Sequence, residues 1–124
     1  RMHERVRKEF WGYAPNEKLK NDDLIKENYI GIRPAHGYPA QPDHTEKSKL
    51  FQILEAENNI DVSLTENYSM TPASSISGLY FSNPESTYFG IGKIDKDQVK
   101  DYAKRKSMNL TECEKWLRTI LVYK

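Results

Sequence analysis

The chain has 124 residues, enough for one domain or part of a larger one, and nineteen basic against eighteen acidic side chains leave it at +1. That balance gives no electrostatic reason to expect nucleic acid or an anionic membrane, so any partner is chosen by local chemistry. A single Cys113 excludes an internal disulfide. Nothing in the sequence reads as a signal peptide or bilayer-crossing run, and a cytoplasmic location is the default expectation. Three histidines and one cysteine lie scattered without finger-type or close helical spacing, so no metal site is expected.

The chain opens on a helix over residues 1–11, with Met2, Val6 and Phe10 recurring every four residues along one face. No capping residue precedes it, as expected of a helix that begins inside a longer protein. Gly12 and Pro15 end it. Asn21 or Asp22 can cap a short second helix carrying Leu24, Ile25 and Tyr29, which should stop at Gly31.

Residues 31–44 then hold Pro34, Pro39 and Pro42 with Gly31 and Gly37, too much Pro and Gly for helix or strand interior. This must be an ordered loop, and a loop of that length inside a compact domain is more often functional than idle. It presents Arg33, His36, Tyr38 and His44 with several backbone groups that have few partners nearby. A guanidinium fork for a carboxylate and backbone amides for the edge of a flat ring would suit a small ligand. The alternative is that Arg33 caps a neighbouring helix, Tyr38 is core and the prolines merely route the chain.

Asp43 and Glu46 have capping-box spacing for a third helix, with Leu50, Ile53 and Leu54 as its buried stripe and Asn58-Asn59 at its end. Between Ile60 and Ile94 the pattern changes to alternation. Ser77–Phe81 and Thr87–Ile94 flank the turn sequence Ser82-Asn83-Pro84-Glu85-Ser86, which predicts an antiparallel hairpin. Gly78, Gly90 and Gly92 interrupt these runs, and such glycines often mark the approach of a ligand, which singles out Tyr88 and Phe89. Ordinary sheet core is the other use for both rings, more so for Phe89 by alternation.

Two helices finish the chain, one capped by Asp95 with Gln98, the other by Thr111 with Glu114. Val99, Tyr102 and Ala103 face inward on the first; Cys113, Trp116, Leu117, Ile120 and Leu121 do so on the second. Cys113 reads as a small core residue, since no His lies near it. No triad or paired carboxylate emerges, so no catalytic residue is assigned.

Three blocks carry a family likeness: Gly31-Ile32-Arg33-Pro34-Ala35-x-Gly37-Tyr38-Pro39, Pro42-Asp43-His44-Thr45-Glu46-Lys47, and Asp97-Gln98-Val99-x-Asp101-Tyr102-Ala103-x-Arg105-Lys106. Together they resemble the C-terminal activation domain of cobalamin-dependent methionine synthase, and the likeness runs from Trp11-Gly12-Tyr13 to Trp116-Leu117. The resemblance implies an α+β fold, a twisted antiparallel sheet flanked by helices, with residues 1–124 forming a single domain piece, the C-terminal half of that domain. It implies that the Arg-x-x-x-Gly-Tyr motif, here Arg33, Gly37 and Tyr38, holds S-adenosylmethionine. Arg33 would engage the methionyl carboxylate, the Pro34-Ala35-His36-Gly37 backbone would read the adenine, and Tyr88, with Phe89 beside it, would lie near the methyl-bearing end.

Glu27 and His44 would serve as supporting or interdomain contacts. The implied role is reductive reactivation: when the cofactor is oxidised to cob(II)alamin, an electron from a flavodoxin-like or flavoprotein reductase and a methyl from S-adenosylmethionine restore methylcobalamin. Cobalamin would be bound by another domain of the same enzyme, which makes methionine from homocysteine and methyltetrahydrofolate, and the isolated stretch is not expected to be active alone. The rival expectation is a docking module that meets only a reductant or a cobalamin domain and has no ligand of its own.

Overall fold

The structure, a computed structural model, describes residues 1–123. By contact density the chain divides into two compact units, one of Arg1–Pro34 with Gly78–Tyr88, the other of Ala35–Ser77 with the residues from Phe89 onwards.

In the first unit, helix α1 (Met2–Arg5) runs on into a π-helical turn, Val6–Phe10. The expected apolar face is not the one that is buried: Met2 and Phe10 are exposed, and His3, Val6 and Arg7 turn inward. Two polar side chains win because each has partners there. Arg7 donates from Nε and Nη2 to the Glu17 carboxylate, with Nη2–Oε1 at 2.6 Å, and His3 stacks on Tyr80 with ring centroids 4.8 Å apart. Gly12, at φ +62°, does end this helix. Helix α2 (Asn21–Ile25) starts one residue before the expected caps, at Lys20, whose backbone N–H donates to Asp23. It stops well short of Gly31, leaving Leu24 and Ile25 exposed and only Tyr29 of the expected stripe buried.

The second unit holds the larger apolar core. Helix α3 (Glu46–Leu54) is present as expected but rotated: Ile53 and Leu54 are exposed, while Lys47 is buried with its ammonium on the Tyr68 carbonyl at 2.6 Å. Glu55 in left-handed geometry breaks the helix before the Asn pair, and α4 (Ala56–Ile60) contains both asparagines. Strands β1 (Ser63–Leu64) and β2 (Met70–Thr71) form an antiparallel pair, Ser63 opposite Thr71. Helix α5 (Lys96–Lys106) has the expected Asp95 and Gln98 box. Helix α6 (Leu110–Leu117) begins earlier than expected, because Asn109 and not Thr111 accepts the Glu112 N–H at 2.8 Å. Val99, Ala103, Cys113 and Leu117 are the buried centre of this pair, flanked by Ile94, Tyr102, Ile120 and Leu121, so Cys113 is core as expected.

The α+β class holds, but the sheet is smaller than expected and the 77–81 and 87–94 hairpin does not form. The turn between them does: Asn83 accepts the Glu85 N–H on its side chain and the Ser86 N–H on its carbonyl. The flanking runs fail to pair because their backbone groups are engaged elsewhere. Phe81 exchanges both bonds with Ile32, and the Leu79 N–H reaches Pro34. Ile91 donates to Pro39, Ile94 bonds to Ile120 and Val122, and Gly92 at φ +75° departs from extended geometry. No helix among the described residues is long and apolar enough to cross a membrane.

Candidate functional site

Of the residues singled out by sequence, Glu27, Arg33, Pro34 and Tyr88 belong to the first unit. Gly31 takes φ +81° and packs against the Phe81 carbonyl so closely that a Cβ would overlap it. That approach lets Ile32 and Phe81 pair, which fixes the backbone on which Arg33 stands. The Arg33 side chain is exposed, and its Nε donates to the Tyr29 hydroxyl at 3.3 Å. Its two Nη groups make no hydrogen bond among the described residues. Arg33 is part of the lining of a cavity of about 300 Å³ that also includes Glu27, Tyr29, Thr87 and Tyr88. Arg33 therefore does not cap a helix. Glu27, left-handed at φ +57°, belongs to the same lining, so a glutamate, an arginine and tyrosines surround one recess.

Ala35, His36, Gly37, Tyr38, His44 and Phe89 belong to the second unit. Here the loop closes on itself: Tyr38 donates to Ala35, Gly37 to Gln41 at 2.7 Å, and Gln41 back to Tyr38. The backbone amides of Ala35 and His36 make no such bond among the described residues. Gly37, at φ +90°, lies against the His44 ring, where any side chain would collide. Burial, and then the nearby Lys47 ammonium, lowers the pKa values of both His36 and His44, so both imidazoles are neutral at pH 7. Neither Nδ1 has a hydrogen-bond partner among the described residues. Tyr38 is 62% exposed and Phe89 57% exposed, so neither ring is core.

The sequence reading missed a polar cluster in the same unit. Asp43 does not form the expected capping box with Glu46. It accepts from the Thr45 N–H and hydroxyl, from the Tyr102 hydroxyl at 2.7 Å, and from Lys106 at 2.6 Å, while Glu46 also turns to Lys106. Burial opposes the Asp43 charge, but these donors outweigh it and hold the carboxyl below its usual range. Only the joint presence of Asp43, Tyr102 and Lys106 in the recognised blocks hinted at this, since the partners lie in separate elements.

The fold and the recess define an α+β domain in which an arginine, a glutamate and tyrosines line one pocket. Two comparisons take this further. The model of the vitamin B12 dependent methionine synthase activation domain matches residues 1–107, and the chain belongs to that family. A crystal structure of the MetH reactivation domain bound to AdoHcy is 55% identical over 99% of the chain, with a TM-score of 0.90. The chain spans 38% of the length of that solved chain.

Proposed function

We propose that the chain binds S-adenosylmethionine for the reductive reactivation of cobalamin in methionine synthase, and that it is a C-terminal piece of the activation domain. The observation that carries the reading is the cavity lined by Arg33, Glu27 and Tyr88, with the Arg33 Nη pair unengaged among the described residues. This donor set fits an α-amino acid: the guanidinium takes the carboxylate in a bidentate pair, and Glu27 is a counter-charge for the ammonium. Pro34 contributes chain direction in the first unit; in the second, taken by itself, the Ala35 and His36 amides make no backbone hydrogen bond among the described residues and suit the edge of a flat ring such as a purine. Within that second unit Gly37 keeps the loop closed on His44, which acts as support, and the exposed Tyr38 and Phe89 rings are suited to stacking on a flat ring.

The bound sulfonium supplies the methyl group, and the acceptor is the cobalt of cobalamin held by another domain of the same enzyme after one electron arrives from a flavodoxin-like or flavoprotein reductase. The chain's own residues contribute placement, which suits a reaction whose leaving group is already good. AdoHcy in the similar MetH structure supports the same ligand class here.

Calorimetric titration of AdoHcy into the complete polypeptide tests this, with Arg33→Lys alongside. Lys keeps the charge but lacks the fork, so affinity should fall about tenfold, on the order of 1.4 kcal/mol. Binding of a reductase or cobalamin domain without any binding of AdoHcy would instead favour a docking module.

A further inference from the structure

In the first unit Tyr29 is buried and stands at the centre of a chain of side chains that ends on Arg33. The Arg7 guanidinium lies 5.0 Å from the centre of its ring, held there by the buried bidentate pair with Glu17. His3 meets the same ring edge-on, with centroids 4.6 Å apart, and is itself stacked on Tyr80. Burial, together with Arg7 and Arg33, lowers the His3 pKa to about 4, so the imidazole is a neutral wedge at pH 7. With its ring braced by Arg7 and His3, Tyr29 directs its hydroxyl to the Nε of Arg33.

An arginine can present a carboxylate with its side edge, Nε and one Nη, or with its end, both Nη groups. Tyr29 occupies Nε. We propose that Tyr29 is a positioning residue that commits Arg33 to end-on recognition of the ligand carboxylate, and that the buried His3, Arg7 and Glu17 exist at this place to hold the phenol still. The inference rests on the proposed ligand. Without the hydroxyl, the guanidinium of an exposed side chain is free to turn and must be ordered again each time the ligand binds.

Tyr29→Phe removes the acceptor and keeps the ring. Two probes separate positioning from folding: AdoHcy, which carries the carboxylate, and 5′-methylthioadenosine, which has the adenosine and thioether but no amino-acid end. In the complete polypeptide, Tyr29→Phe should weaken AdoHcy about fivefold, the scale of one hydrogen bond, and leave methylthioadenosine affinity and Tm unchanged. In an Arg33→Met background the same substitution should cost AdoHcy nothing further. Equal losses for both probes, no loss for AdoHcy, or an undiminished penalty in the Arg33→Met background would each overturn the positioning role while leaving the ligand assignment standing. Failure of the unsubstituted protein to bind AdoHcy would remove the ligand assignment itself.

Discussion

The ammonium of Lys106, late in α5, lies 2.6 Å from a carboxylate oxygen of Asp43, at the end of the proline-rich loop. Both side chains are largely buried, and the pair ties the loop to the largest apolar core of its unit through contacts far apart in sequence. Thr45 and Tyr102 occupy further acceptor positions of the same carboxylate, so the charge is satisfied on several sides. A buried pair is stabilising relative to one broken partner, whatever its worth against an apolar replacement.

Asp43→Asn removes the charge and leaves Lys106 with the Glu46 carboxylate and the Thr45 hydroxyl. The loss should be about 2–3 kcal/mol, toward the low end for a broken buried pair because Glu46 remains. The pH dependence follows from the directions of the shifts. The folded pKa of Asp43 is depressed, so its contribution is present above the unfolded value of 3.8 and lost as pH falls through the folded value. For Lys106, burial opposes the charge but the Asp43 and Glu46 bonds raise the folded pKa, so its contribution is full below 10.5 and lost as pH rises beyond it. Denaturant midpoints measured across pH should show both edges in the unsubstituted protein, and the acid edge should shrink in Asp43→Asn.

The sequence made some of this legible and hid the rest for identifiable reasons. Asp95 with Gln98 was readable because a capping box is local, closed within one turn. The importance of Gly31 and Gly37 was readable because only glycine suits a tight, left-handed loop. The hairpin was misread because alternation and a good turn establish an extended run without naming its partner, and Ile32 competes successfully for Phe81. The faces of α1 and α3 were misread for a different reason. Arg7 and Lys47 are buried by partners distant in sequence, Glu17 and Tyr68, and hydropathy counts such side chains as outward. Glu27 was recognised, yet its place in the lining beside Arg33 depends on a left-handed residue that sequence does not announce.

Gly31→Ala should be among the most damaging small substitutions. At φ +81° an alanine is strained, at about 1–2 kcal/mol, and its Cβ would overlap the Phe81 carbonyl, which is backbone and has little room to yield. The Ile32–Phe81 pair must then open, taking Arg33 with it. We expect a loss of about 3 kcal/mol or more, together with loss of AdoHcy binding. A melting temperature within a degree of the unsubstituted protein would contradict this account of the loop.

His3 should titrate far below an ordinary imidazole. Burial is the main cause, with the cations Arg7 and Arg33 adding to it, and the folded pKa lies at about 4 against 6.5 for the exposed group. Because the folded value is depressed, the unfolded chain takes up the proton first, and stability should decline as pH falls from about 6.5 towards 4. His36 and His44 are shifted in the same direction and steepen the same window. An NMR titration of the His3 ring protons tests the assignment residue by residue. A midpoint near 6.5 would mean that the ring is not packed between Tyr29 and Tyr80.

Tyr88 is half-buried, lines the same recess as Arg33, and stands just before the exposed Phe89. The hairpin, the neighbouring glycines and the family resemblance all pointed to Tyr88; the hairpin does not form, yet the lining of the cavity includes Tyr88 beside Thr87. A phenol there can pack on the sulfonium end of the ligand and exclude water, so it should matter for reaction geometry more than for folding. Tyr88→Phe should leave Tm nearly unchanged. If the proposed function holds, Tyr88→Ala in the complete polypeptide should slow reductive methylation of cobalamin about tenfold or more, while the proposed turnover with methyltetrahydrofolate and homocysteine stays near its original rate. Measuring both rates on one Tyr88→Ala preparation is decisive. A parallel fall in the two, or a melting temperature several degrees lower, would make Tyr88 a structural residue and leave Arg33, Tyr29 and Glu27 as the functional lining of the recess.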